Sequence, residues 1–362
     1  MSRKKIKPAA AWISAGICFA LSLFLTASLQ KTDFSSAADS SDQNQTGSAV
    51  ETVQSFLTQV ESGDYTGLFE AAQHIHSSMD SEAAYDAALK NKFEDADFST
   101  ITIQNAGSDS GRMIYVLQSG DTSYGQVEVY EDGDTMKAGY PLIGSETYTV
   151  EVPSGTVLYS NGTQVDSSLL KESGVTPANF ENVSGSFIPQ ADVYELSGLL
   201  GFPALSLESG QELTVMQDPI TGHLLAGMPA DDSLNDYILD AAERLAAYPA
   251  QDGSVSSVSE VSDTSQLWYQ RYITLQNLWF TEHETSSFSD GQVLGVMKQS
   301  DDTMTAQVIF SYYAKNSSRD LERTWYIGYQ LTFADEDGTW RICSTAINNE
   351  LNPGNDPNPI EH

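Results

Sequence analysis

Cysteine is almost missing from this 362-residue chain: only Cys18 and Cys343 occur. Cys18 falls inside an apolar run near the N-terminus, so Cys343 has no partner beyond that run for an intramolecular disulfide. A body of roughly 300 residues does not need one, because cores of that size hold themselves. Cys343 lies in a strand pattern on the face opposite Trp340 and Ile342, and it reads as a small strand residue rather than a nucleophile.

Positive charge is scarce as well. There are 17 Lys and Arg against 50 Asp and Glu, a net charge of −33. All 50 acidic residues but only 13 of the basic ones lie beyond Leu29, which leaves that part at −37. Nucleic acid is excluded as a partner, since phosphate neutralisation needs clustered Lys and Arg. Docking on anionic lipid or wall polymer by charge attraction is disfavoured too. The plain reading of the acidity is solubility and mutual repulsion. The acidic loops Asp231-Asp232 and Asp335-Glu336-Asp337 lack the spaced ligands of a calcium-binding loop.

Catalytic signatures are missing. No G-x-S-x-G, Ser-x-x-Lys, Walker-type loop, H-E-x-x-H or C-x-x-C occurs. Of the five histidines only His74 and His76 are close, and the helix pattern around them points their rings apart, which makes shared metal ligation awkward. Glu282-His283-Glu284 reads as a solvated loop. No catalytic residue, metal or cofactor is therefore expected.

One long apolar run is present. Arg3, Lys4, Lys5 and Lys7 form a basic tail, residues 1–7, and Pro8 to Leu29 carry no charge. Those 22 residues at about 1.5 Å each span roughly 33 Å, enough for a hydrocarbon core of about 30 Å. Cations precede the run and only Lys31 follows closely, so the N-terminus is expected in the cytoplasm and the rest outside. A cleaved signal peptide competes with this reading, but its best site, Thr26-Ala27-Ser28, is poor. A lipoprotein signal fails, because Ile17 rather than a small residue precedes Cys18. The expectation is a retained, single-pass type II signal-anchor in the cell membrane.

The remainder parses into segments. Residues 30–48, rich in Ser, Asp, Gln and Ala, read as a flexible stalk. In 49–143, helical spacing of Val53, Phe56, Leu57 and Val60, a short helix at Tyr65 to Phe69 and a third at Ala83 to Lys90 precede four strands, with an Asp132-Gly133 turn before the last. Residues 144–229 alternate at Tyr148 to Val152, turn at Asn161-Gly162 and are dense in Gly and Pro, a β-rich module. In 230–349 a helix from Ser233, its expected N-cap, to Tyr248 is followed by a Ser- and Val-rich linker, 249–261. Asp263-Thr264 then caps an aromatic helix reaching Phe280, and four strands close the segment. In the third strand Trp325, Ile327, Tyr329, Leu331 and Phe333 form one apolar face, a half-buried strand pattern. Residues 350–362 read as a disordered tail. The expected class is α+β, with two helix-then-sheet modules flanking the β-rich one.

Val53-x-x-Phe56-Leu57 leading to Ser62-Gly63-Asp64-Tyr65 resembles the opening of NTF2-like domains in exported Gram-positive proteins. Tyr329-x-Leu331 followed by Asp337-Gly338-x-Trp340-x-Ile342 resembles the closing hairpin of that superfamily. Val152-Pro153-x-Gly155 and Val157-x-x-x-Asn161-Gly162 resemble the β-module of the teicoplanin-resistance-associated (TcaA-like) membrane proteins. The resemblance implies two cone-shaped NTF2-like domains, one membrane helix and a cell-envelope location. The zinc-ribbon cysteines of the fuller family pattern are absent here.

Aromatic density peaks in the last module. Trp268, Tyr272 and Trp279 fall on one helical face, opposite strands carrying Tyr312, Trp325, Tyr329 and Trp340. Either these rings fill a core, or they wall a semi-open cone for an apolar or glycan ligand. Three functions follow: a non-enzymatic interaction or sensing platform at the envelope, a small-ligand-binding protein using those rings, or an NTF2-like enzyme with a dispersed acid–base site. Expected partners are the membrane, through the N-terminal helix, and an envelope protein or wall-derived ligand; the sequence sets no oligomeric state.

Overall fold

The structure, a computed structural model, describes residues 40–75, 77–275 and 282–355. The expected span at 8–29, His76 and Trp279 lie outside the described residues. Among the described residues, no helix is long and apolar enough to cross a membrane. The chain divides between Glu51 and Thr52 into two compact units. The described part of the first is the leading half of helix α1 (Ser40–Ser62). That helix starts inside the expected flexible stalk, which corrects residues 40–48. A nucleated helix gains one hydrogen bond for each residue added, so polar residues extend a turn that Val53, Phe56 and Val60 anchor.

In the second unit, helices α2 (Leu68–Ala71) and α3 (Glu82–Lys92) follow. Ser81 caps α3 by accepting from the Ala84 N–H at 3.0 Å. The helices pack on an antiparallel meander, β1 (Thr102–Asp109), β2 (Arg112–Ser119), β3 (Thr122–Asp132) and β4 (Thr135–Gly139). Phe56 stacks on Tyr140 with centroids 5.7 Å apart, and the buried Tyr85 hydroxyl donates to the Tyr140 carbonyl at 2.9 Å.

The middle segment holds β5 (Glu146–Pro153), β6 (Leu158–Ser160), β7 (Thr163–Gln164), β8 (Leu170–Val175), β9 (Ala191–Leu199), β10 (Leu205–Leu207), β11 (Thr214–Gln217) and β12 (Leu224–Pro229). Asn161 and Gly162 both take positive φ, 49° and 78°, as a two-residue β6–β7 hairpin requires. A small sheet, β10-β6-β7, shares a core with β5, β9 and β12 through Val150, Leu158, Leu196, Leu205 and Leu224. This segment grips the first meander module: Thr163 Oγ1 donates to the Ser78 carbonyl at 2.7 Å, and the Leu200 N–H donates to Asp80 Oδ1 at 2.8 Å.

The last segment contains α4 (Asn235–Ala247), α5 (Val255–Val261), α6 (Leu267–Tyr272), β13 (Thr285–Ser300), β14 (Thr303–Asn316), β15 (Leu321–Glu336) and β16 (Thr339–Ile347). Three expectations are corrected here. Asp231, not Ser233, supplies the first cap, accepting from the Ser233 N–H at 2.7 Å to open a 3-10 turn that runs into α4. The expected linker contains α5, because Val255, Val258 and Val261 recur at helical spacing and Ser254 caps them. The aromatic helix is one short element ending at Tyr272, with Ile273 as its C-cap.

Strand β12 pairs with β13, Met228 opposite Lys298, so the middle and last segments share one nine-stranded sheet. Its path runs β16-β15-β14-β13-β12-β5-β9-β8, with β11 also on β12. Helices α4 to α6 cover one face of the β13–β16 part. The other face is covered too, so β15 is buried on both sides from Ile327 to Ala334 rather than half-buried. Phe180 and Val183 pack there on Ala334 and Cys343. The fold is α+β, mostly sheet with few helices.

Candidate functional site

Six of the seven aromatic residues singled out by the sequence lie in described parts of the chain, and all six pack on the core between α4–α6 and the sheet. They do not converge on one point. Tyr312 and Tyr329 are buried in that core, and Tyr329 sits edge-on to Phe310 at 5.7 Å. Trp325 lies near Tyr312, ring centroids 5.9 Å apart, with the Arg323 guanidinium 5.2 Å from its own ring. Trp340 pairs with Asp335, ten residues along β15 from Trp325, which at about 3.3 Å per residue separates them by roughly 33 Å of strand. Lys298 stands 5.7 Å from the Trp340 ring.

Trp268 and Tyr272 form the remaining pair, one helical turn apart on α6 with centroids 5.5 Å apart. The Tyr272 hydroxyl donates to the Leu245 carbonyl at 2.6 Å. Burial pushes the pKa of Tyr272 up strongly, so it stays a neutral donor. Both residues line a surface cleft of about 350 Å³ between α6, β16 and two residues of the middle segment, Asn182 and Ile220.

Sequence reasoning missed two polar clusters. His283, expected in a solvated loop, is only 10% exposed at its side chain, because Asp252 and Tyr312 close on it. Asp252 accepts from His283 Nε2 at 2.9 Å, from the Tyr312 hydroxyl at 2.6 Å and from Ser286 Oγ at 2.6 Å. Partial burial presses the Asp252 pKa upward, but the bonds from Ser286, Tyr312 and His283 outweigh it and hold the carboxyl below its ordinary range. The second cluster is the seam under the sheet. Asn179 Nδ2 donates to Gln299 Oε1 at 2.9 Å and to Thr305 Oγ1 at 2.8 Å, and Gln330 Nε2 donates to Asp218 Oδ2 at 2.9 Å. Members of each cluster come from segments far apart in sequence, so no local motif announces them.

No family model matches the sequence, and no curated protein matches it. Among solved structures, the chain is similar to the intermembrane space region of the chloroplast protein ARC6, at 12% identity and a TM-score of 0.20, over 32% of this chain and 92% of that one. It is also similar to an NTF2-like protein involved in plasmid conjugation, at 9% identity and a TM-score of 0.24, over 69% of this chain and 76% of that one.

Chemically, the Asp252 cluster sets a neutral tyrosine and a histidine against one carboxylate whose donors are already supplied. The α6 cleft differs: it is open, and the apolar Ile220, Leu267 and Leu275 line it beside the polar Asn182, Arg271 and Ser344. The cleft offers room for a ligand.

Proposed function

We propose that this chain is a membrane-anchored extracytoplasmic protein of the cell envelope, in which two NTF2-like α+β modules flank a β-rich module as a non-enzymatic interaction or sensing platform. The observation that carries this reading is the filling of the last module by its own side chains. Phe310, Tyr312 and Tyr329 are buried between helices and sheet, and the hydroxyls of Tyr272 and Tyr312 are already bonded inside the protein. A reaction chamber would need that volume empty. The charge-free run Pro8 to Leu29, the acidic body and the missing catalytic motifs support the same reading.

Topology and partnership are tested together. A C-terminal epitope on the full-length chain should be removed by protease added to intact cells, and crosslinking on those cells should recover a defined envelope partner. An epitope protected until lysis would overturn the orientation, and an ectodomain inert to both envelope proteins and wall fragments would overturn the platform. A second reading, small-ligand binding by Trp268 and Tyr272, is favoured by the cleft on α6.

A further inference from the structure

Arginine is rare here, and nearly every described arginine is engaged. Arg112 and Arg319 pair with Glu128 and Glu282, and Arg244 pairs with Asp240 and Glu260. Arg323 lies over Trp325, and Arg341 donates to the Glu260 carbonyl at 3.0 Å. Among the described residues, the side chain of Arg271 alone of the arginine side chains has no ion pair, hydrogen bond or ring partner. In a chain of net charge −33 with 50 carboxylates, an unpaired guanidinium is conspicuous.

Arg271 stands at the rim of the 350 Å³ cleft. Three exposed large apolar side chains line that cleft: Ile220 at 77%, Leu267 at 52% and Leu275 at 40% exposure. Isolated exposed apolar residues are ordinary, but three around one concavity are not. Two lining residues also carry orphaned polar atoms. The indole N–H of Trp268 and the hydroxyl of Thr345 are buried without a hydrogen-bond partner. Native folds seldom keep such groups unsatisfied unless something else supplies the partner.

We propose that this cleft binds a compact amphiphilic carboxylate, its apolar body against Trp268, Leu267, Ile220 and Leu275 and its carboxylate on Arg271. The proposal rests on the small-ligand reading above and names the site and ligand class. Arginine presents a planar fork that matches a carboxylate through two parallel hydrogen bonds. One guanidinium neutralises one negative charge. A phosphate dianion would carry a second charge onto a strongly acidic protein with no second cation lining the cleft, which favours the monoanion. The volume lies at the lower end of the about 300–1,000 Å³ usual for ligand pockets, so the ligand is small.

The test uses the full-length chain with naphthalene-2-carboxylate and its neutral twin, naphthalene-2-carboxamide, titrated calorimetrically. The carboxylate should bind saturably and about tenfold more tightly than the amide. Arg271→Gln, at an exposed position, should erase that difference while leaving the circular dichroism unchanged. Trp268→Phe should weaken both ligands, and the Trp268 indole N–H resonance should shift when either binds. Equal affinities for the two ligands, or a preference that survives Arg271→Gln, would overturn the carboxylate assignment and leave ligand binding standing. Absence of saturable binding by both would overturn both.

Discussion

Asp192 concentrates more of the chain's local order than any motif suggested. From β9 it accepts from Ser154 Oγ at 2.8 Å, the Gly155 N–H at 2.8 Å, Ser173 Oγ at 2.7 Å and the Gly174 N–H at 3.1 Å. One carboxylate thus ties the β5–β6 turn and β8 to β9. Burial presses its pKa upward, yet these four bonds outweigh it and leave the carboxyl below its ordinary value of 3.8. Asp252 is lowered in the same sense. A carboxyl with a depressed folded pKa stabilises the fold fully above its unfolded pKa, and that stability is lost as pH falls through the folded one. Urea midpoints should therefore hold steady down to about pH 5 and fall below about pH 4, and Asp252→Asn should flatten part of that fall. A midpoint insensitive to pH across that window would exclude the two carboxylates as acid-sensitive ties. At this scale the aromatic core residues were legible, because rings at strand and helix periods declare a buried face. Asp192, Asp252 and His283 were not, since each acts through partners from 18 to 60 residues away in sequence.

Among the elements, the hairpins were the most legible. Asn161-Gly162 and Asp337-Gly338 sit at positive φ where two-residue turns need them, and Glu336 pairs with Thr339 across the second. Helix α5 was hidden because its Ser-rich composition reads as linker, although its valines fall at helical spacing. The first part of strand β13 is hard to see in the sequence, since Thr285 to Ser289 has Phe288 as its one apolar residue and is held by backbone pairing to β14. The β12–β13 join has its own steric requirement. A Cβ at Gly227 would run into the carbonyl oxygen of Lys298 on β13, so only glycine lets the two strands approach this closely. Gly227→Ala should cost about 1–3 kcal/mol in urea unfolding. Gly210→Ala makes a useful comparison: its Cβ meets nothing within 4 Å, but its φ of +81° still strains the backbone, for a cost of about 1 kcal/mol. Equal losses at the two sites would argue that the close approach is unimportant.

The whole molecule couples segments that look separate in the sequence. Charge imbalance and the order of helices and strands are readable directly from the residues, but Met228 meeting Lys298 across 70 positions is not, because strand register leaves no mark that local patterns can carry. Four of the five tryptophans lie beyond residue 260, so tryptophan fluorescence reports the last segment. Asp192 lies in the middle segment. Asp192→Asn, costing about 2–3 kcal/mol, should nevertheless lower the tryptophan-detected unfolding midpoint together with the circular dichroism midpoint. A fluorescence transition left in place while the dichroism shifts would show that the shared sheet does not couple the two segments.

The continuous sheet also governs how such a chain can be inherited. A gene segment ending near residue 144 cuts a loop and leaves the nine strands together, so exchange of the first meander module breaks no strand pairing of that sheet and removes only side contacts such as Thr163–Ser78 and Leu200–Asp80. A segment ending at residue 229 would sever β12 from β13 and leave two unpaired strand edges, each a template for aggregation. In lineages carrying this architecture, the middle and last segments are therefore expected to travel as one genetic unit.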